Sequence, residues 1–211
     1  MTAPLTMNRV IHGAVRRDLA RLTAALDQVR DGDLARAQQL QRAYDNLREQ
    51  LTHHHRGEDD HIWPMLAKVG VSPDLLTTME CEHSAMSDAL AGSATAMQTY
   101  AASGSAADAA AARASVVLTH DVVERHLAHE ETELEPALMP HVESPEWKAV
   151  EKKLSRQPPK VAGTFFAWLT DGMSDEHRAF LRRTVPAPVV AVLAKVFGRR
   201  YNREVAPVWR G

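Results

Sequence analysis

Two stretches decide how this chain reads: His54-His55-Arg56-Gly57-Glu58, with Pro64 six residues after the Glu, and His126-Leu127-Ala128-His129-Glu130, with Pro136 six after its Glu. In both, a His leads a Glu by four residues, which puts the two side chains on one helical face a turn apart. The copies lie 72 residues apart, and His12 and His83 lie 71 apart, so the pattern is an internal repeat. Each half supplies one His on a first helix and a His-x-x-x-Glu on a second.

Working outward, four long helical patterns fill residues 1–141. The first runs from Pro4 to about Arg30, with Val10, Ala14, Leu22 and Leu26 on one face, and Gly32 breaks it. The second opens on Asp33 as N-cap and runs to about Lys68, with Leu40, Leu47 and Leu51 leading into His54, Glu58, His61 and Met65. Ser72-Pro73 opens the third, Ser103-Gly104-Ser105 turns the chain, and the fourth runs to about His141. Short turns between long helices predict an all-α, up-down-up-down four-helix bundle over residues 1–143, followed by a basic helical extension over 144–211.

Register arithmetic puts the histidines at one depth. His12 lies 18 residues before the first turn and His54 lies 20 after it; His83 and His126 repeat the same two intervals. At a rise of ~1.5 Å per residue these are climbs and descents of about 27 and 30 Å. Four imidazoles (His12, His54, His83, His126) and two carboxylates (Glu58, Glu130) therefore meet at one level of the core.

Composition narrows the class further. The chain has 211 residues, 45% apolar and 25% charged, enough to bury one core. Ile occurs only at Ile11 and Ile62 and aromatics make up 5%, which disfavours a strand-rich fold. The net charge of −2 gives no nucleic-acid footprint. It is unevenly spread: from Lys148 onward there are 13 basic and 5 acidic residues, net +8, leaving −10 on residues 1–147, which hold ten of the eleven histidines. A region rich in both His and carboxylates points to a metal site. The single cysteine, Cys81, suits a reducing compartment. Met1–Val10 lacks an apolar signal core and no apolar run reaches ~20 residues, so a cytoplasmic protein without a transmembrane segment is expected.

Six such groups share an apolar interior cheaply only if something pairs with them, because an unpaired buried carboxylate costs several kcal/mol or takes up a proton. Metal ions bind neutral imidazole and ionised carboxylate together. Two Glu able to bridge and four terminal His suit a pair of first-row metals; mixed N/O ligation favours iron or manganese and also admits zinc.

These residues, with the acidic-then-Pro endings Glu58-Asp59…Pro64 and Glu130-Glu131…Pro136, resemble the hemerythrin-like, His-His-Glu cation-binding family over residues 5–141. The resemblance implies two iron ions in a non-haem di-iron centre, ranked ahead of manganese or zinc. It implies reaction with a small diatomic or peroxide ligand (O2, nitric oxide or hydrogen peroxide) in oxidative or nitrosative stress defence, with catalase-like peroxide turnover as one activity. Iron binding, sensing or delivery without turnover is the alternative. Oxygen-carrying members have a second His one turn after the third-helix His and a His-x-x-x-x-Asp on the fourth helix; Ser87 and Glu130 stand here, which points away from reversible O2 carriage.

His61 and Glu133 each follow the repeat Glu by three residues, so both are expected to face the site as further ligands or as groups orienting the ligands. His53, His55 and His129 point sideways and are expected at the surface or between helices, His120, His141 and His177 at the surface, and Cys81 as a small buried thiol. Gly57 either permits close helix approach or is merely tolerated. In the extension, Val189, Val192, Leu193, Val196 and Phe197 are expected to face inward, with Lys195, Arg199, Arg200 and Arg203 on the charged side. The extension reads as an appendage docked on the acidic bundle, or as a homodimer interface or basic docking surface for a partner or anionic membrane. On that reading, a chain ending near Ser144 closes its core and holds metal.

Overall fold

A computed structural model describes residues 5–210 and is helical throughout, with no strand among the described residues. The first helix, α1 (Met7–Leu26), starts later than the pattern suggests: the Thr6 hydroxyl accepts the Arg9 amide as N-cap, and Pro4 lies outside the described residues. Asp33 caps α2 (Leu34–Gly57) by accepting the Arg36 amide. The helix then widens into a π turn at Glu58–Ile62 and continues as α3 (Trp63–Lys68). The longest helix, α4 (Pro73–Ser103), ends on Gly104, whose φ of 66° is a left-handed conformation that favours glycine. Ser105 caps α5 (Ala106–His129), which widens at Glu130–Leu134 and continues as α6 (Glu135–Leu138).

The two wide turns begin on the repeat Glu residues. The Trp63 amide donates to the Glu58 carbonyl and the Glu135 amide to the Glu130 carbonyl, each five residues back instead of four. Pro64 and Pro136 follow directly. A proline lacks the amide and clashes with the carbonyl four residues earlier, and a wider turn moves that carbonyl away.

Helix α1 packs on α2 and α5, and α4 packs on α2 and α5. Their apolar faces form one large core containing Leu19, Leu22, Leu40, Tyr44, Leu47, Met97 and Tyr100. A smaller cluster of Trp63, Met65, Leu66, Leu76, Met79, Leu134 and Val150 lies apart from it. No helix among the described residues is long and apolar enough to cross a membrane.

The extension comprises α7 (Pro145–Leu154), α8 (Pro159–Thr170), α9 (Asp175–Thr184), α10 (Ala187–Val192) with a π turn at Leu193–Phe197, and α11 (Arg199–Glu204). It is more than an appendage. Trp168, Leu169 and Tyr201 are buried in the same core as α1 and α2. The Trp168 indole donates to Asp18 at 2.8 Å, and the Arg17 guanidinium donates to the Trp168 carbonyl at 3.1 Å. Gly57 lets Leu154 approach α2, a Cβ there meeting the Leu154 side chain at 3.1 Å.

The inward stripe expected at Val189–Phe197 is corrected. Val189, Val192, Val196 and Phe197 are exposed, Leu193 is half-buried, and Val190 and Ala194 face the core instead. The reason is the close approach of α8 to the π turn, where a Cβ on Gly163 would overlap Phe197. Helix α8 occupies the layer against the bundle, so α10 lies outside it and only one edge of its apolar surface is covered. The sequence expectation for Cys81 is corrected too: it is exposed.

Candidate metal centre

Four helices each contribute imidazole to a polar layer containing buried His12, His83, Glu58 and Glu130. His12 comes from the second turn of α1, His54 and His55 from the last turn of α2, His83 from α4 and His126 from the last turn of α5. Glu58 and Glu130 open the π turns.

The imidazoles meet in two pairs through Nε2. His12 and His54 are 3.3 Å apart, and His83 and His126 are 3.2 Å apart. Two imidazole nitrogens on one ion, with bonds of about 2.1 Å at angles between square and tetrahedral, sit roughly 3.0–3.4 Å apart. The carboxylates span the pairs. Glu58 Oε1 is 3.2 Å from His54 Nε2 and its Oε2 is 3.6 Å from His83 Nε2. Glu130 Oε2 is 3.2 Å from His12 Nε2 and 3.9 Å from His126 Nε2. Both Glu58 oxygens and Glu130 Oε2 are buried without a satisfied hydrogen bond. Buried carboxylate oxygens in that condition fit a cation at their tips.

The opposite ring nitrogens are held from outside. Nδ1 of His12 meets Glu131 at 2.8 Å, Nδ1 of His83 meets Asp59 at 2.7 Å, and Nδ1 of His126 meets Glu82 at 2.9 Å. An Nδ1–H donated to a carboxylate fixes the tautomer that leaves the Nε2 lone pair facing inward. Asn8 donates to Glu130 Oε1 at 3.0 Å, and Arg16 donates to Glu131 at 2.7 Å. Asp59 and Glu131 had no role assigned from sequence, although each follows the repeat Glu directly and so carried a signal. Glu82 and Asn8 have no counterpart in the repeat and no signal in the sequence.

Electrostatics follow from this crowding. Burial opposes a charge on His12, but the carboxylates of Glu130 and Glu131 outweigh it and push its pKa up to about 9. Burial, then the positive field of His12, pulls His54 down to about 3. Burial and the neighbouring Glu130 charge raise Glu58 well above the usual carboxylate range. Burial opposes the Glu130 charge, yet His12 holds Glu130 below its ordinary value. Burial likewise opposes the Glu131 charge, while His12 and Arg16 bring it down to about 2. On its own groups alone, the layer favours the protonated form of Glu58 and a charged His12 between two carboxylates.

His61 and Glu133 do not join this layer. The His61 Nδ1 meets the Asp60 carbonyl at 2.7 Å near the surface, and Glu133 is exposed. The π turns explain the change of direction: they advance roughly 80° per residue instead of roughly 100°, so a side chain three residues past the Glu swings off the face. His55, expected at the surface or between helices, is buried and stacks on His83 with ring centroids 4.3 Å apart. His129 is half-buried, its Nδ1 on Glu82 at 2.8 Å, and His177 is half-buried against Gly13. Two groups could each hold a cation: His12, His54 and Glu130; and His55, His83 and His126.

Protons and a cation compete for this layer, which sets a pH dependence. The stability from protonating His12 is fully present below about pH 6.5, its unfolded value, and is lost as pH rises through about 9. The chelator-treated chain should therefore lose thermal stability between those limits, while the gain in melting temperature on adding metal grows. Melting curves at fixed metal across that range check this; a metal-dependent gain that shrinks with pH would contradict it.

No curated protein and no solved structure matches the chain. A family model, the Hemerythrin HHE cation binding domain, matches residues 4–138, which include all the residues of the polar layer. A buried set of paired imidazoles and spanning carboxylates, on a chain matched over that range, has one reading: the protein belongs to the hemerythrin HHE cation-binding domain family.

Proposed function

We propose that this chain is a non-haem di-iron protein that reacts with O2, nitric oxide or hydrogen peroxide, in oxidative or nitrosative stress defence in the cytoplasm. Its four long helices then run up-down-up-down over residues 1–143, and residues 144–211 form the extension. The observation that carries the reading is Glu58, whose two oxygens face two different imidazole pairs, at 3.2 Å from His54 and 3.6 Å from His83. His12 and His54 would hold one ion, His83 and His126 the other, and Glu58 and Glu130 would bridge.

Iron supplies one-electron redox chemistry and affinity for diatomics and peroxide when bound. The chain's residues do the rest. Asp59, Glu82 and Glu131 hold the Nδ1 protons of their histidines, which orients the rings and makes Nε2 more basic. Two inner carboxylates and three outer ones concentrate negative charge, which favours the more highly charged oxidation state. Met79, Met86, Val123 and Leu134, each three or four residues from a group of the layer on the same helical segment, are buried, and such apolar neighbours exclude bulk water. An environment biased toward ferric iron suits peroxide consumption better than O2 storage.

The test is metal analysis, an optical spectrum and an oxygen-electrode trace on iron-loaded protein. The reading expects two iron per chain, near-ultraviolet absorption from ferric iron, and O2 release from added peroxide. Tight iron with no peroxide consumption, lost to a mild chelator, would favour sensing or delivery. A colourless protein holding only zinc would overturn the di-iron reading.

A further inference from the structure

One apolar surface has no partner within the described residues. Val189, Val192 and Val196 are 47%, 53% and 45% exposed, and Phe197 beside them is exposed too. Steps of three and four residues set the valines in one stripe. The stripe belongs to α10 and its π turn, whose Val190 and Ala194 face the core, so it looks outward. Val161 on α8 is exposed as well and lies two residues before Gly163, where Phe197 makes its close approach. Exposed apolar side chains gathered in this way mark a binding surface.

The charges around the stripe are of one sign. From Arg182 to Arg203 the chain carries six cations, Arg182, Arg183, Lys195, Arg199, Arg200 and Arg203, and no Asp or Glu. All six are exposed. Among the described residues only Arg200 and Arg203 form ion pairs, with Glu49 and Glu204. Arg182 and Arg183 lie in the last turn of α9, just before the stripe; Lys195 borders Val192 three residues on; Arg199 opens α11 directly after it.

These features select the occupant. A second copy presenting the same face would set six cations against six, and the same valines laid on another copy's acidic bundle would meet charge. Protein partners are held through aromatic, Met and Arg anchors and directed hydrogen bonds. From Pro186 to Ala194 the chain offers only Pro, Ala, Val and Leu, with no polar side chain. An anionic bilayer matches both parts, because acyl chains accept small apolar side chains without directional demand and headgroups attract the cations. The six residues of α10 and the five of its π turn span about 16 Å at ~1.5 Å per residue. That is about half of the ~30 Å hydrocarbon layer, so the segment can lie along a membrane and cannot cross it. The net charge of −10 on residues 1–147 turns the bundle away from the same surface.

We propose that the outer face of α10 and its π turn is a membrane-association surface, which lies in the interface of an anionic bilayer with its valines among the acyl chains and its flanking cations on the headgroups. The metal layer takes no part in this contact.

The test is cosedimentation of the full chain with vesicles of phosphatidylcholine alone, or containing about 30% phosphatidylserine. Wild type should sediment with the anionic vesicles only, and less as salt rises to about 0.5 M. The triple variant Val189→Ser, Val192→Ser, Val196→Ser should bind about 10–100-fold more weakly. The triple variant Arg182→Ala, Lys195→Ala, Arg199→Ala should bind about 100-fold more weakly. Every substituted position is exposed, so both variants should melt close to wild type. Wild type that stays in solution with anionic vesicles would overturn the proposal, whatever the variants do, and leave the face to an acidic protein partner. Full binding by the valine variant would reduce the contact to surface charge and overturn insertion of the stripe. A wild-type dimer in analytical ultracentrifugation that the valine variant dissolves would assign the stripe to a second copy instead.

Discussion

A chain ending at residue 143 should fail to fold cooperatively and should hold no metal. The extension buries Trp168, Leu169 and Tyr201 against α1 and α2, and removing it exposes that face of the core to water. It also strips a donor from Asp18, a carboxylate with no exposed surface, and two carbonyl acceptors from Arg17. The point variant Trp168→Ala isolates part of this. Truncating a buried Trp costs about 3–5 kcal/mol, and leaving a buried acceptor without its donor adds about 1–3 kcal/mol. Those losses are comparable with a typical domain's whole stability of about 5–15 kcal/mol. Urea denaturation followed by circular dichroism measures both. A truncated chain with a sharp, wild-type-like transition would show that α8 only decorates the bundle.

Glu130→Ala should remove metal from both positions together, with affinity falling more than ~100-fold, beyond what loss of an outer partner alone produces. One oxygen of Glu130 lies 3.2 Å from His12 Nε2 and 3.9 Å from His126 Nε2, so a single truncation takes a donor from each imidazole pair. It also takes from Asn8 the nearer of its two carboxylate acceptors, leaving only Glu135 Oε1 at 3.4 Å. The control is Glu133→Ala, three residues along the same segment and exposed, which should keep full metal content. Metal analysis after desalting reads both variants. Full occupancy in Glu130→Ala, or loss in Glu133→Ala, would contradict the arrangement of the layer.

The opposite placement of these two glutamates, Glu130 buried and Glu133 exposed, shows where reading the sequence stops. A His four residues before a Glu shares its face in any α-helix, and a rise of ~1.5 Å per residue fixes depth from residue number alone. The meeting of His12, His54, His83 and His126 with Glu58 and Glu130 at one level was therefore legible. So was the helical class, from the scarcity of strand formers and the spacing of Leu and Ala. The directions of His61 and Glu133 were not, because extrapolating the face assumed that the α-helical twist continued; the chain widens at the repeat Glu to accommodate the coming proline.

His55 and the extension depended on tertiary structure for a different reason. A side chain's angle on its helix follows from sequence, but whether that angle ends in water or between neighbours depends on which helices lie beside it. His55 is buried because α4 and α5 bring His83 and His126 against its ring. Val189, Val192 and Val196 carry an apolar pattern of their own, yet they are exposed because α8, not α10, occupies the layer against the bundle. Hydrophobic periodicity specifies a face that favours burial and carries no information about the partner, because apolar attraction has no direction of its own. Sequence alone thus determined helix class, repeat and depth, which are set by local backbone geometry; only packing decided which apolar and polar faces were covered.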